Sequence, residues 1–354
     1  MQIPFWAFES DLVSKKIKKG NLLFISPLPS TFVKYDIEIL KKHFNVNSFH
    51  FGAQKSFWQA IKQFQLFFWT LWQIPFAKVV YIWFADYHAF IPSLLGKLFF
   101  KKVIIIIGGF DAARIPEMNY GVHTNPFRGK VSKICCRLAD HIIPVSKFTG
   151  RNLIGNNPIS ILPKISIAYL GMAGTGFEST SKVRNQSVVS IIGVTDLNRF
   201  KIKGGEILIN IARKMPETNF MLIGVSSKVA SHYENLLPSN ITLLPWVPNE
   251  QIPELLAEHK VICQFSFFEA FSLALLEGML CGCIPVSHRL IGPAEFIPKN
   301  CGFLSPDLQE KNLEKALKQA LASNPDLGTK ARTYALSNLD LLKRETQLIK
   351  HLKN

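Results

Sequence analysis

The stretch KVICQFSFFEAFSLALLEGMLCGCIPVSH, residues 260–288, reads as strand, loop, helix and strand in that order. Residues 260–266 form a short apolar and β-branched run of the kind that suits a buried strand. Ser272 is a candidate N-cap for the apolar segment SLALLEGMLC, and Gly282 suits the left-handed position that ends a helix. Residues 283–287 then open the next strand. Strands joined through a helix pair in parallel, with helices covering the sheet. The same stretch carries two carboxylates, Glu269 and Glu277, in otherwise apolar surroundings. A lone Glu on such a helix is ordinarily a side chain reaching for solvent at the rim. Here Glu269 lies beyond the carboxyl end of a strand, the place where α/β sheets bind ligands. The helix start behind it offers free N–H groups and a positive dipole end, a setting for a diphosphate. An extended nucleotide would then place its sugar at Glu269 and its ribose at Glu277.

The pattern repeats outward from this unit. Upstream strands are expected at 187–194, 219–224 and 241–246, with helices at about 204–214, 228–237 and 250–258. The first half shows a second series, with strands at 21–26, 46–51, 79–84, 102–108, 141–146 and 165–170. Between them, GMAGTGFESTSKVRNQ (171–186) is rich in Gly, Ser, Thr and charge, as linkers are. The expected fold class is therefore α/β, with two Rossmann-like, doubly wound domains facing a cleft. Residues 1–172 form the first domain and 173–334 the second. A long amphipathic helix at about 335–354 is expected to pack back on the first.

Composition narrows the function. The 354 residues are 48% hydrophobic and 19% charged, which suits globular cores. Residues 1–172 hold 21 Lys and Arg against 8 Asp and Glu, and the remainder holds 20 against 17. The net charge of +16 thus sits almost wholly in the first half, which should meet any anionic partner. The 6 cysteines form no CxxC pair and read as reduced thiols of a cytoplasmic protein. No signal peptide or spanning segment is legible. G-x-G-x-x-G and P-loop signatures are absent, as are HExxH and D-x-D, so no cofactor and no metal is expected.

These residues also carry a resemblance. E-x7-E followed by GMLCGCIPV resembles the signature of retaining GT-B glycosyltransferases of the group 1 type. IGPAEFI is similar to that family's G-x-x-E segment, with Glu295 at its acid, and GVTDLNRFKIKGGEILINIARKMPETNFMLIG resembles its first strand–loop–helix of the donor domain. IIIIGGFDAARIPEM is similar to the family's acceptor-side H-G-x-D loop, with Gly108 where the family has His. The chain also reads Glu269-Ala270-Phe271-Ser272 where the family often has Glu-Gly-Phe-Gly.

The resemblance implies a sugar transfer from a nucleoside-diphosphate sugar with retention. It implies Glu269 and Asp111 as catalytic groups, and Arg199 and Lys203 as the cations on the donor diphosphate. Lys201, between them, stays open as the second cation. Glu277, Phe271, Ser272 and Val247 complete the implied donor site, with Trp246 and Val247 ending a strand near the base. Without a metal, fixed cations and helix N–H groups must carry the leaving-group charge. His123 reads as structural.

The implied partners are a nucleotide-sugar and a carbohydrate or lipid-linked acceptor. No nucleic-acid module is legible. The segment KSFWQAIKQFQLFFWTLWQIPFAK sets Lys55, Lys62 and Lys78 around Trp58, Phe64, Phe67, Phe68, Trp69 and Trp72. It suits docking on an anionic membrane, with the protein peripheral on the inner face. A sugar-nucleotide epimerase or phosphorylase on the same plan and a non-catalytic anion-binding protein are the alternatives.

Overall fold

A computed structural model describes residues 19–52, 56–177 and 184–353. Lys55, one of the lysines of the aromatic segment, lies outside the described residues, as does part of the Gly- and Ser-rich linker. Eleven strands form two wholly parallel sheets among the described residues. The first contains β1 (Asn21–Ser26), β2 (Asn45–His50), β3 (Ala77–Trp83), β4 (Lys102–Ile107) and β5 (His141–Pro144), in the order β2-β1-β3-β4-β5. The second contains β6 (Asn185–Val194), β7 (Asn219–Val225), β8 (Ile241–Leu244), β9 (His259–Cys263), β10 (Ile284–His288) and β11 (Phe303–Ser305), in the order β11-β10-β9-β6-β7-β8.

The central strands are near-continuous apolar runs because helices cover both of their faces. Leu22 to Ile25, Val103 to Ile107 and Val261 to Cys263 are at most 1% exposed. Chain order reverses beside β1 in one sheet and beside β6 in the other, and such switch points open crevices at the strands' carboxyl ends. The two crevices face each other.

Three expectations are corrected. Residues 165–170 do not form a full strand. They make one bridge to β5 and two backbone bonds, from Ser166 N–H to Ile142 O and from Ala168 N–H to Pro144 O, and then leave for the second sheet. The short edge strand β11 was not among the expected strands, being too brief to show a period. The single C-terminal helix is two, Asp326–Asn338 and Leu341–Lys353. The break has a local cause, since Asp340 Oδ1 accepts the N–H of Lys343, and a distant one. Met172 N–H bonds Leu339 O, and a Cβ on Gly171 would lie 2.2 Å from the Asp340 carbonyl. The crossing chain and the helix break are therefore packed backbone to backbone.

The last helix docks on the first sheet's layer through Arg344. This guanidinium, 1% exposed, forks onto Asp36 of the helix Thr31–Lys41 at 3.0 and 2.9 Å. Asp36 also accepts the Tyr81 hydroxyl at 2.6 Å and the Trp83 indole N–H at 3.0 Å. Arg344 donates further to the Ala168 carbonyl at 2.6 Å.

Candidate active site

The opening stretch builds one wall of the cleft. β9 runs into the loop 264–271, and the helix Leu273–Leu280 follows with Ser272 as its N-cap, its Oγ accepting the Leu275 N–H at 3.2 Å. Ser272 holds φ 75°, a left-handed conformation where a glycine is usual. Its hydroxyl is thus spent on the cap. Phe271, expected at the donor, is instead a core residue at 1% exposure, stacked on Phe296 with ring centroids 4.5 Å apart. Only its backbone borders the helix start.

Glu269 lies at the cleft, paired with Lys203 Nζ at 2.6 Å, their side chains 15% and 32% exposed. Lys203 sits there because the short helix Leu197–Ile202, capped by Asp196, ends on it. Lys201 turns the other way and pairs with Glu206 at 3.5 Å, so it is not the cation beside Glu269. Arg199, on the same short helix, is 65% exposed, 3.7 Å from Asp196 and otherwise without an ion pair among the described residues.

Glu277 lines an interdomain pocket of about 220 Å³ with Ser30 to Phe32 from the first half and Gly193, Gly224, Trp246 and Val247 from the second. Its floor is a close approach of backbones, for a Cβ on Gly224 (φ 88°) would meet Gly193 at 2.9 Å. Trp246 is 74% exposed, and Val247 is half-buried beside it. Burial raises the Glu277 carboxyl from 4.5 to about 7, and no donor satisfies it among the described residues. The ionised form is therefore the strained one. The folded protein binds this proton more tightly than the unfolded chain, so stability falls as pH rises from about 4.5 to 7. Glu277→Gln is expected to stabilise the ligand-free protein by up to about 3 kcal/mol at pH 8, and by little at pH 4. Urea denaturation at both pH values checks this, and equal effects at the two would remove it.

Asp111, expected as a catalytic acid, is fully enclosed. Its Oδ2 accepts Ala85 N–H at 3.0 Å and its Oδ1 accepts Gly109 N–H at 2.9 Å, while burial lifts its carboxyl to about 7. It ties the end of β3 to the loop after β4 and does not reach the cleft. That loop is where the halves meet, since a Cβ on Gly109 (φ 131°) would lie 2.7 Å from the Ala270 Cβ. His123 is 9% exposed, and burial beside Lys133 depresses its imidazole to about 4.

Glu295 has a role that the sequence did not reveal. It accepts Lys147 N–H at 2.8 Å, Phe148 N–H at 2.5 Å and the Tyr169 hydroxyl at 3.0 Å. An acid of the second half thus caps the helix Lys147–Asn156 of the first, clamping the cleft. Ser30, Thr31 and the glycine pair were likewise missed, because no local signal marks a residue that meets another across a domain gap. Among the described residues, no three His, Cys, Asp or Glu side chains gather to hold a metal.

Residues 197–337 match the family model of glycosyl transferases group 1. This span, less than half of the chain, is similar to the group 1 glycosyltransferase domain. The matched span begins at the helix that places Arg199 and Lys203 and includes both glutamates. The chain also superposes on HepE of Anabaena, solved with UDP and glucose, at a TM-score of 0.74 with 16% identity, covering 94% of this chain and 99% of that one. It superposes on sucrose-phosphate synthase of Thermosynechococcus elongatus at 0.76 with 15% identity, covering 95% and 98%. The architecture is thus GT-B. Among curated proteins, a phosphatidylinositol N-acetylglucosaminyltransferase component of Arabidopsis thaliana is 26% identical over 161 residues, 42% of this chain and 36% of that protein. The chain therefore matches little more than a third of that relative's length.

Proposed function

We propose that the protein transfers a sugar, with retention and without a metal, from a nucleoside-diphosphate sugar to an acceptor in glycan or glycolipid assembly at a membrane surface. The observation that carries this reading is the Lys203–Glu269 pair in front of the helix whose Leu273, Ala274 and Glu277 line the interdomain pocket. A donor laid along it meets Lys203 and Arg199 at the diphosphate, Glu269 at the sugar and Glu277 at the ribose, with the base against Trp246 and Val247. Charge leaving with the diphosphate is then met by cations already in place, which is where electrostatic catalysis acts. Glu269 orients the sugar hydroxyls and takes no part as a nucleophile. HepE was solved with UDP and glucose, so UDP-sugars are the first donors to test.

A donor at a hundred times its Kd is expected to stabilise the protein by about 2.7 kcal/mol. A thermal-shift panel of UDP-, GDP- and ADP-sugars reads this directly. Absence of a shift with all of them, or epimerisation or phosphorolysis of the donor without a glycosylated product, would overturn the proposal.

The acceptor side supports a membrane location. The helix Ser56–Gln73 exposes Trp58, Phe64, Phe68, Leu71 and Trp72, and Phe76 follows at 68% exposure. Leu66 and Thr70 on its other face are buried, and Phe67 and Trp69 are half-buried. An apolar outer face flanked by Lys62, Lys78 and Lys101 fits a monotopic surface contact, each cation adding about 1 kcal/mol at an anionic bilayer. Among the described residues, no helix is long and apolar enough to cross a membrane. Flotation with anionic vesicles at low salt is expected to carry the protein up, and Trp72→Glu with Phe68→Glu is expected to leave it in the dense fraction. The relative in Arabidopsis is named for transfer to phosphatidylinositol, a lipid acceptor.

A further inference from the structure

Two recesses outside the cleft share one wall. The helix Pro126–Leu138 turns Phe127, Val131 and Ile134 toward an apolar groove of about 720 Å³, closed by Phe51, Phe90 and Ile91. It turns Pro126, Gly129 and Lys133 toward a second recess of about 380 Å³, completed by Arg114, His123 and Asn156. Lys130 stands at the boundary and lines both.

The second recess contains no carboxylate, and among the described residues Arg114, Lys130 and Lys133 have no ion pair. His123, 9% exposed, lines it with a ring Nε2 that has no hydrogen-bond partner. Three unpaired cations with no carboxylate among them, walled by the buried His123 ring, describe an anion site. A solvated surface would carry its cations apart or paired with acids.

We propose that these adjoining recesses form one binding site for a lipid phosphate, with the phosphoryl group among Arg114, Lys130 and Lys133 and the apolar chain in the groove past Phe127. The juxtaposition selects the ligand. A free phosphate would leave the groove empty, and an uncharged chain would leave three cations unanswered. The site opens on the same half of the molecule as the exposed aromatic helix, whose Gln63 donates to the Tyr87 carbonyl at the groove's edge. Lipid drawn from a bilayer thus has a short way to travel. The assignment rests on the glycosyltransferase reading only in naming that lipid as the acceptor or a relative of it.

Isothermal titration with dodecyl phosphate, inorganic phosphate and dodecyl maltoside tests the site. Dodecyl phosphate is expected to bind at least about 30-fold tighter than either of the others, since each supplies only half of the contacts. Lys130→Glu with Lys133→Glu is expected to weaken dodecyl phosphate at least about tenfold. Ala60→Trp, on the exposed lip of the groove, is expected to weaken it while leaving inorganic phosphate unchanged. Unaltered circular dichroism and an unaltered thermal shift with the nucleotide-sugar establish that these variants are folded, and that shift reports the donor reading separately. Dioctanoyl phosphatidic acid distinguishes the sources: tighter binding than dodecyl phosphate points to bulk phospholipid, weaker binding to a single-chain carrier. Equal binding of inorganic phosphate, equal binding of the maltoside, or full binding by the folded double variant would each overturn the proposal.

Discussion

Lys203→Ala is expected to lower turnover by about 10²–10³-fold, the cost of removing one preorganised group that faces developing charge. The ammonium lies 2.6 Å from Glu269 in a partly enclosed mouth, so it balances that carboxylate before the donor arrives. When the diphosphate enters, its oxygens share the cation and Glu269 is released toward the sugar hydroxyls. Without Lys203, an unpaired carboxylate faces the leaving group, and repulsion grows as the sugar–phosphate bond breaks. Turnover should fall more than donor affinity, because the contact strengthens toward the transition state. Lys203→Arg keeps the charge and is expected to recover part of the loss. Arg199→Ala removes a 65% exposed cation tied only to Asp196 among the described residues, and its effect should be smaller. Steady-state kinetics with the donor found by thermal shift decides it. Turnover by Lys203→Ala within about threefold of the parent would show that this cation does not meet the reacting charge.

Arg344→Met is expected to destabilise the protein by about 3–5 kcal/mol, measured by urea denaturation. The loss comes less from the pair itself than from what remains. Asp36, 0% exposed, would be left among Tyr81, Trp83 and apolar neighbours with no counterion. Removing both charges, as Asp36→Leu with Arg344→Met, is expected to cost less than the single change, leaving the neutral Tyr81 hydroxyl, Trp83 N–H and Ala168 carbonyl to find partners. A double variant no better than the single one would show that the ion pair is not the source of the effect. The same pair fastens the last helix to the first sheet's layer, so its loss should also expose that helix to proteolysis. Glu345 in that helix, bonded to Lys42 and His43, lies nearer the surface and cannot replace it.

Much of this molecule is legible along the chain. Buried parallel strands announce themselves as short apolar runs, and nine of the eleven were expected within two residues of either end; β9 ends three residues early at Cys263 and β11 was missed. The strand that failed, 165–170, has the right residues but is drawn away from β5 toward the second sheet. Glu269, Glu277, Lys203 and Arg199 reach one cleft because each stands at a strand's carboxyl end or on the helix that follows it. Topology brings such positions together without further information.

Tertiary structure alone decided the rest. Composition and periodicity determined two parallel α/β units and a basic first half, and the family resemblance implied the two acids and two cations, since each is written within short stretches of the chain. Whether an acid faces that cleft depends on contacts between distant parts of the chain. Asp111 is enclosed by backbone N–H groups, Phe271 turns into the core, Glu295 caps a helix of the other half, and Arg344 finds Asp36 across the whole length of the protein. A local sequence pattern states which residues share a face, and only packing states what that face meets.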